Sequence, residues 1–387
     1  MLKHITQDFL GNCQSRAIGI AFFSSGFLFG NWATFIPFVK EKFLLNDADL
    51  GLILLSMPIG AIIMNLAGAW LVAKIGMRTT TIIGMVGTSL AFIFPINSPD
   101  VNLLSFGLFL CGSGISIINI AMNMGVTNIE AHFKINIMST CHGMFSLGLM
   151  VGSLLASLSR GFDVNPGHYM IGISVLVISL ALIIRPTVYK IEDEIESEDN
   201  ASSKFILPTG ALLTMILIGI CGNVTEGTMA DWTSVFMRDV VNTSPYFVGW
   251  GLAGYSFFMA LGRFFGDSLI PKIGGNRVLV YGGILSAIGI AFAISFSYTW
   301  SAIAGFALVG AGVSCAAPIL YGSSARIPGV SKGTGLAVMN TFAMAGFMAG
   351  PVLIGFISEA TSLSWAFGLV MILALIWAYL SAKVKLF

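Results

Sequence analysis

The most constraining feature of this sequence is a set of glycines that recur at a constant spacing of 198 residues. Nine glycines of residues 1–189 recur in residues 199–387, whereas 20 glycines in the first segment and 25 in the second give about 2.6 matches by chance. The nine pairs are Gly51/Gly249, Gly68/Gly266, Gly76/Gly274, Gly84/Gly282, Gly107/Gly305, Gly112/Gly310, Gly114/Gly312, Gly148/Gly346 and Gly152/Gly350. The excess indicates a tandem duplication of one unit.

Hydropathy places this duplicated unit in a membrane. The chain is 56% hydrophobic and only 10% charged, whereas soluble chains carry about 25% charged residues. A membrane-spanning helix needs about 20 mostly apolar residues, and twelve segments qualify. They cover residues 16–38, 48–73, 79–96, 101–125, 136–159, 167–185, 206–228, 245–270, 277–296, 298–320, 333–357 and 362–382. The sequence predicts an all-α membrane protein of twelve transmembrane helices in two pseudo-symmetric six-helix bundles, an arrangement typical of transporters.

Charge divides and orients the chain. We predict bundles at residues 1–189 and 206–387, joined by an acidic linker at 190–205 that carries no apolar pattern. Fourteen of the 19 Lys and Arg residues fall on one predicted side and four on the other. Because positive charge is retained in the cytoplasm, we expect both termini to be cytoplasmic.

Several classes of function are disfavoured. A net charge of +1 offers no basic field for nucleic acid. The sequence has no phosphate-binding glycine loop and no His, Cys and Asp at metal-ligand spacing. We therefore expect no enzyme activity, no cofactor and no metal. The partners expected are a small-molecule substrate, the lipid bilayer and a coupling ion, with the protein acting as a monomer.

Two equivalent short loops point to a family. Residues 73–78 read AKIGMR and residues 271–277 read PKIGGNR, with a glycine that permits a tight turn. This pattern resembles the loop signature of the major facilitator superfamily, although the acid that usually precedes the basic residue is replaced by Ala73 and Pro271. The resemblance implies gating by the charged residues in and beside these loops. They are Lys74, Arg78, Arg263, Asp267, Lys272 and Arg277.

Four further segments resemble the fucose-permease-like branch of that superfamily. They are NIAMN at 119–123, STCHGMFSLG at 139–148, EGTMADW at 226–232 and GRFFGD at 262–267. The chain resembles more closely the poorly characterised bacterial members of that branch that carry MN in the fourth helix and EGxMADW in the seventh. The resemblance implies transport of a sugar or related polyol by a protein of the bacterial inner membrane. In fucose permease itself, carboxylates in the first and fourth helices take part in proton coupling and sugar recognition. The corresponding positions here are Ala33 and Asn119, which cannot titrate, so that mechanism does not carry over.

Other ionisable residues are therefore candidates for proton coupling. An ionisable group within a span costs about 2.5–3.5 kcal/mol on insertion scales and is a functional candidate by default. We predict proton coupling by Glu226, His142 and Asp231. For Glu226, a static hydrogen-bonded acid and a solvated helix end remain alternatives. Arg263 is expected either to pair with Asp267 one turn away or to bind an anionic substrate.

Polar and aromatic residues of the spans are candidates for substrate binding. His142 and its repeat mate Asn340 would line one central cavity, and asparagines offer donors and acceptors suited to a sugar. The alternative for each is packing or hydrogen bonding between helices, and Trp232 is a further aromatic candidate. The predicted substrate-binding residues are Asn31, Trp32, Asn119, Asn123, His142, Phe145, Tyr255, Tyr321 and Asn340.

The sequence thus predicts a secondary active transporter that works by alternating access. A proton-coupled transporter of a sugar or polyol is the first hypothesis. A transporter of amphipathic compounds such as drugs or siderophores is the second, favoured if the cavity is rich in Phe and Met. A membrane sensor or scaffold that retains the fold without transport is the third.

Overall fold

A computed structural model describes residues 8–192, 208–328 and 330–387, apart from the side chains of Asp267 and Lys332. The first half contains six spans. They are Cys13–Lys42, Asp47–Leu54 continued by Ser56–Ile75, Met77–Ala91 continued by Ile93–Asn97, Val101–Phe133, Met138–Gly161 and Pro166–Val188. The second half also contains six. They are Gly210–Asp239, Trp250–Ile273, Gly275–Ser295, Thr299–Val313 continued by Ala316–Ser324, Lys332–Ala360 and Leu363–Lys383.

These twelve spans, numbered here in chain order, confirm the predicted all-α membrane fold. Eleven of them are long and apolar enough to cross a membrane by length and composition. The eighth span, Trp250–Ile273, is less apolar because it contains Arg263 and Asp267. A short 3-10 turn, Pro245–Phe247, precedes it. The predicted linker lies outside the described residues from position 193 onward.

Local sequence chemistry sets where the spans begin and turn. The side chain of Asn12 accepts hydrogen bonds from the backbone of Gln14 and Ser15 and so caps the first span. The tight turns after the second and eighth spans pass through Gly76 at φ 83° and Gly274 at φ 90°, which is backbone that glycine adopts without strain. The same repeated residue therefore makes the same turn in both halves.

Two spans extend well beyond their predicted ends. The fourth span was predicted to end at 125 and ends at Phe133, and the seventh was predicted to end at 228 and ends at Asp239. An apolar run marks only the part of a helix that faces hydrocarbon. A helix packed inside a bundle tolerates polar residues, so it continues past the apolar run.

The repeated glycines allow equivalent close contacts in the two halves. A Cβ atom on Gly112 would lie 1.9 Å from the carbonyl oxygen of Met57, and one on Gly310 would lie 1.9 Å from that of Tyr255. Met57 and Tyr255 are themselves separated by 198 residues. Small residues let helix backbones approach each other in a membrane, so the two halves repeat one packing scheme.

The halves meet through spans one and seven, two and eleven, and five and eight. A Cβ atom on Gly51 would lie 2.6 Å from the carbonyl oxygen of Pro351, and one on Gly249 would lie 2.4 Å from that of Ser153. Both contacts lie near the end of the bundle at which the first and seventh spans finish. The backbones of the two halves therefore touch at this end.

Ionic contacts reinforce the same end. Lys40 Nζ lies 2.5 Å from Asp47 Oδ1 in its own half and 2.8 Å from Asp239 Oδ2 in the other half. The Asp47 backbone N–H donates to Glu359 Oε2 at 3.0 Å, and the Ser358 hydroxyl donates to the Asp47 carboxylate. We call this set the end cluster. Its members are Lys40, Asp47, Arg238, Asp239, Ser358 and Glu359.

Arg238 adds a second tie across the halves. Its guanidinium donates to the carbonyl oxygen of Pro37 in the first span and also pairs with its neighbour Asp239. Lys40 and Asp47 of the first half and Arg238 and Asp239 of the second half are thus joined by ion pairs at this end of the bundle. The end cluster closes the bundle on this side.

Candidate functional site

A cavity of about 380 Å³ lies between the two halves. Spans one, two, four and five line it from the first half, and spans seven, eight and eleven from the second. Methionine and phenylalanine form the largest part of the wall. They are Met57, Met122, Met259, Met344, Met348, Phe22, Phe29, Phe145 and Phe347. The polar residues are fewer. They are Ser25, Asn119, His142, Glu226, Asp231 and Arg263, with Trp32 and Tyr255 as amphipathic neighbours.

Arg263 connects the halves inside this cavity. Its Nη2 lies 3.6 Å from Glu226 Oε1 of the seventh span. Its Nη1 donates to Ser146 Oγ at 2.8 Å and to the carbonyl oxygen of His142 at 3.2 Å, both in the fifth span. Opposite charges attract more strongly away from bulk water. Among the described side chains, Glu226 is the only carboxylate that forms an ion pair with Arg263. Arg263 therefore connects Glu226 to the fifth span.

Asp231 lies about 7.5 Å further along the seventh span, at 1.5 Å of rise per residue. Positions 226 and 231 differ by about 140° on a helical wheel, yet both residues line the cavity together with Gly227 and Ala230. The described residues provide Asp231 with no hydrogen bond and no ion pair. This carboxylate therefore faces the cavity without a protein partner.

His142 lines the cavity from the first half. Its ring packs edge-on to Phe22, with ring centres 5.1 Å apart, and it is half-buried. Phe145, one turn further along the fifth span, also lines the cavity. Both predicted substrate contacts from this span are thus positioned to touch a solute.

Asn119 extends the polar wall toward the end of the fourth span. The Asn123 amide donates to the carbonyl oxygen of Asn119 at 2.9 Å and also to its side chain. The Thr127 hydroxyl donates to the carbonyl oxygen of Asn123 at 3.1 Å. Asn119 and Thr127 are exposed. Exposed polar groups at helical spacing inside a span mark access for water, here from the end opposite the end cluster.

Four predicted substrate contacts do not line the cavity, namely Asn31, Asn123, Tyr321 and Asn340. Asn31 is buried, donates to the carbonyl oxygen of Phe27 at 2.8 Å and accepts from the Tyr169 hydroxyl at 2.6 Å. The Tyr321 hydroxyl hydrogen-bonds Asn340 Oδ1 at 3.2 Å. Asn340 therefore does not line the cavity, although it is the repeat equivalent of His142.

The remaining aromatic candidates differ in placement. Trp32 and Tyr255 line the cavity, and each has a buried polar atom without a hydrogen-bond partner among the described residues, the indole Nε1 and the phenol oxygen respectively. Trp232 is fully buried and packs outside the cavity wall. Trp32 and Tyr255 are therefore the aromatic residues placed to meet a solute.

The predicted gating residues lie in two regions. Arg263 and Asp267 are in the eighth span, and the others are in and beside the two short loops, namely Lys74, Arg78, Lys272 and Arg277. The ammonium group of Lys74 lies 5.0 Å from the centre of the Trp70 ring. Lys74, Arg78, Lys272 and Arg277 form no ion pair with any side chain that the structure describes. The side chain of Asp267 lies outside the described residues, so its pairing with Arg263 stays a prediction.

Sequence reasoning did not find the end cluster. Lys40 and Arg238 counted only as loop charges in the assignment of orientation, and Asp239 fell beyond the predicted end of its span. One signal was present. Lys40 and Arg238, at the ends of the first and seventh spans, are separated by 198 residues, so repeat symmetry places two cations at equivalent positions of the two halves.

The family follows from this fold and from direct comparison. A family model of the Major Facilitator Superfamily matches residues 18–237 and 215–385. The chain belongs to the Major Facilitator Superfamily and is a multi-pass membrane transporter, not an enzyme. The resemblance drawn from the loop motifs is thereby confirmed.

Relatives and solved structures agree with this assignment. An uncharacterized MFS-type transporter of Yersinia pestis is 34% identical over 370 residues, which is 94% of each chain. Membrane protein MosC of Rhizobium meliloti is 27% identical over 90% of this chain and 85% of its own. The crystal structure of the transporter FucP in the outward conformation matches with a TM-score of 0.66 at 15% identity, covering 96% of this chain and 98% of that one. A second FucP structure, described as the E. coli fucose:proton symporter, also gives 0.66.

Proposed function

We propose that this chain is a proton-coupled secondary transporter of a small polar organic solute, with a sugar or polyol as the leading class. The observation that carries the proposal is the cavity between the halves, in which Arg263 joins Glu226 to the fifth span. A site at the junction of two repeats is what alternating access requires. The likeness to FucP supports the sugar class.

Proton coupling follows from the contacts of Arg263. While Glu226 is ionised, it offsets the charge of Arg263 at the centre of the molecule. When Glu226 binds a proton, Arg263 keeps only the neutral acceptors of the fifth span among the described side chains, and no described carboxylate balances its charge. Because an unbalanced charge that is partly shielded from bulk water is unfavourable, protonation changes the relative stability of the arrangements of the two halves.

A second class of substrate is favoured by the cavity wall. Nine lining residues are Met or Phe, and methionine adapts its shape to varied apolar groups. This wall suits an amphipathic solute better than one covered with hydroxyl groups. Transport of amphipathic compounds is therefore the alternative function.

We place the protein in the bacterial inner membrane as a monomer, with both termini cytoplasmic and the end cluster on the outer side. The distribution of Lys and Arg supports this orientation. In this orientation the cavity is closed toward the outside, and the exposed Asn119 and Thr127 lie on its cytoplasmic side.

Flux through purified protein in proteoliposomes tests the proposal. Sugars, polyols and amphipathic compounds are offered with and without an imposed pH gradient. We expect at least one class to accumulate in a way that the gradient changes. Flux that no pH gradient alters would overturn proton coupling, and the absence of any flux across the panel would favour a sensor or scaffold.

A further inference from the structure

We propose that the solute carries a protonated amine and that this group pairs with the carboxylate of Asp231 in the central cavity. The inference rests on the proposed function, because it specifies the class of solute that the same cavity accepts.

The charges of the cavity do not balance. Its ionisable lining residues are Glu226, Asp231, Arg263 and His142. Arg263 is 3.6 Å from Glu226, so this pair is neutral as a unit. Asp231 forms no hydrogen bond or ion pair with the residues that the structure describes. With an ionised Asp231 and a neutral imidazole, the lining carries one uncompensated negative charge.

The cations of the end cluster, toward which the seventh span continues beyond Asp231, are already engaged. Arg238, seven residues after Asp231, pairs with Asp239 and donates to the carbonyl oxygen of Pro37. Lys40 is shared between Asp47 and Asp239. Because an isolated ionised carboxylate is costly away from water, Asp231 needs a proton or a cation from solution.

The surroundings of Asp231 favour an organic cation over a metal ion. Metal ions such as Ca²⁺ take six to eight oxygen ligands, and the described residues contain no cluster of three or more His, Cys, Asp or Glu that could hold one. Gly227 and Ala230, its neighbours on the same helical face, supply no side-chain oxygen. A single carboxylate matches one ammonium group instead.

The wall also provides for the rest of such a solute. The aromatic residues Trp32 and Tyr255 line the same cavity, and ring faces attract organic ammonium groups. The methionine and phenylalanine side chains accept the apolar part of the molecule. A volume of about 380 Å³ lies within the range of small-molecule sites. One end of the solute is therefore held by charge and the other by apolar contact.

Matched pairs of ligands test the proposal on the purified wild-type protein. The probes are 2-phenylethylamine against 2-phenylethanol and glucosamine against glucose, compared by calorimetry and thermal shift at a pH at which both amines are protonated. We expect at least one amine to bind about tenfold more tightly than its neutral counterpart. Equal responses to both members of every pair, including no response to either, would overturn the proposal.

Variants of Asp231 then test whether this residue causes the preference for an amine over its neutral counterpart. Asp231→Asn should reduce the ratio between amine and neutral ligand to about twofold or less. Asp231→Glu should retain it, which guards against a folding defect in the first variant. Asp163→Asn is the matched control, since Asp163 is exposed outside the cavity. A preference that survives in Asp231→Asn would show that another residue recognises the amine.

Proteoliposome flux separates failure of this inference from failure of the proposed function. If a neutral solute is driven by the pH gradient equally well in the wild type and in Asp231→Asn, the amine assignment is wrong and secondary transport stands. If the amine preference depends on Asp231 but no solute crosses the membrane, the site stands and the proposed transport is wrong.

Discussion

Beside the cavity, Arg263 is the charged residue of the second half that contacts the first half. It contacts Glu226 of the seventh span and both Ser146 and the backbone of His142 in the fifth. A change in the charge of Glu226 is therefore felt directly at the junction of the halves. Asp231 is separate from this network, which allows one carboxylate to couple a proton while the other contacts the solute.

Glu226→Gln should abolish accumulation of solute against its gradient and leave exchange of solute across the membrane within about twofold of wild type. The amide keeps the size of the side chain but can neither bind nor release the proton. Uphill uptake and counterflow in proteoliposomes measure the two activities. Glu192→Gln, at a half-exposed residue outside the spans, is the control, and uphill uptake by Glu226→Gln equal to that of this control would remove Glu226 from coupling.

His142→Ala should weaken solute binding about fivefold or more, because it removes a polar group and a ring from the cavity wall. The edge-on contact with Phe22 is also lost, and an aromatic pair contributes about 0.5–1.5 kcal/mol, so a modest decrease in thermal stability is expected as well. Ligand-induced thermal shift against the transported solute measures the binding. His168→Ala changes an exposed histidine and serves as control. Equal ligand responses in the two variants would assign His142 to packing.

At the scale of helices, the contacts of Gly51 and Gly249 hold the halves together at one end. Both glycines begin the second span of their repeat, and both face a backbone carbonyl of the other half. A methyl group at either site cannot fit unless the helices separate. Gly51 and Gly249 thus determine how closely the two halves approach each other at the end cluster.

Gly51→Ala and Gly249→Ala should each shift the protein toward an arrangement open at the end cluster. The added Cβ would lie 2.6 Å and 2.4 Å from a backbone oxygen, so the closed arrangement becomes less stable. The test places a cysteine at the cavity residue Ser25 (Ser25→Cys) in a protein without other cysteines. The quantity measured is the rate at which this cysteine reacts with a thiol reagent that cannot cross the membrane. We expect the rate from the end-cluster side to rise several-fold.

Gly87→Ala is the control for the added methyl group, since a Cβ at Gly87 meets no atom within 4 Å. Its labelling rate should match that of the unmodified background. If Gly51→Ala and Gly249→Ala also match it, the glycine contacts do not determine closure.

Sequence reasoning predicted the helices more reliably than the residues of the cavity. Apolar length and glycine spacing depend on the membrane and on the repeat, and both are visible in the chain. The wall of the cavity depends on how a helix rotates about its axis and where it continues. The apolar run of the seventh span was predicted to end at position 228, between Glu226 and Asp231, whereas the helix continues to Asp239 and Asp231 lines the cavity. The burial of Asn31 likewise depends on Tyr169, a partner 138 residues away.

At the scale of the whole molecule, two levels of contact join the halves. The end cluster lies at one end, and Arg263 lies at mid-depth beside the cavity. Alternating access requires the first level to open while the solute and Arg263 remain between the halves. We therefore expect the end cluster to act as a latch, so that its stability sets the balance between the two arrangements.

Asp239→Asn should weaken this latch, because Lys40 and Arg238 both lose an ionic partner. A partly exposed ion pair contributes up to about 1 kcal/mol, which corresponds to a shift of about fivefold in the open fraction. Labelling of Ser25→Cys from the end-cluster side should rise accordingly and should depend less on salt. Asp163→Asn should leave labelling unchanged. A labelling rate in Asp239→Asn that equals this control would show that the latch is held by backbone packing alone.

Glu226 also borders a second, much smaller space of about 20 Å³, enclosed by the seventh, tenth and eleventh spans together with Tyr321 and Asn223. That volume holds about one water molecule, and every residue around it belongs to the second half. A water molecule in this space would contact Glu226 from within the second half alone. Rearrangement of the two halves would then leave this hydration of Glu226 unchanged, while access to the central cavity alternates between the two sides of the membrane.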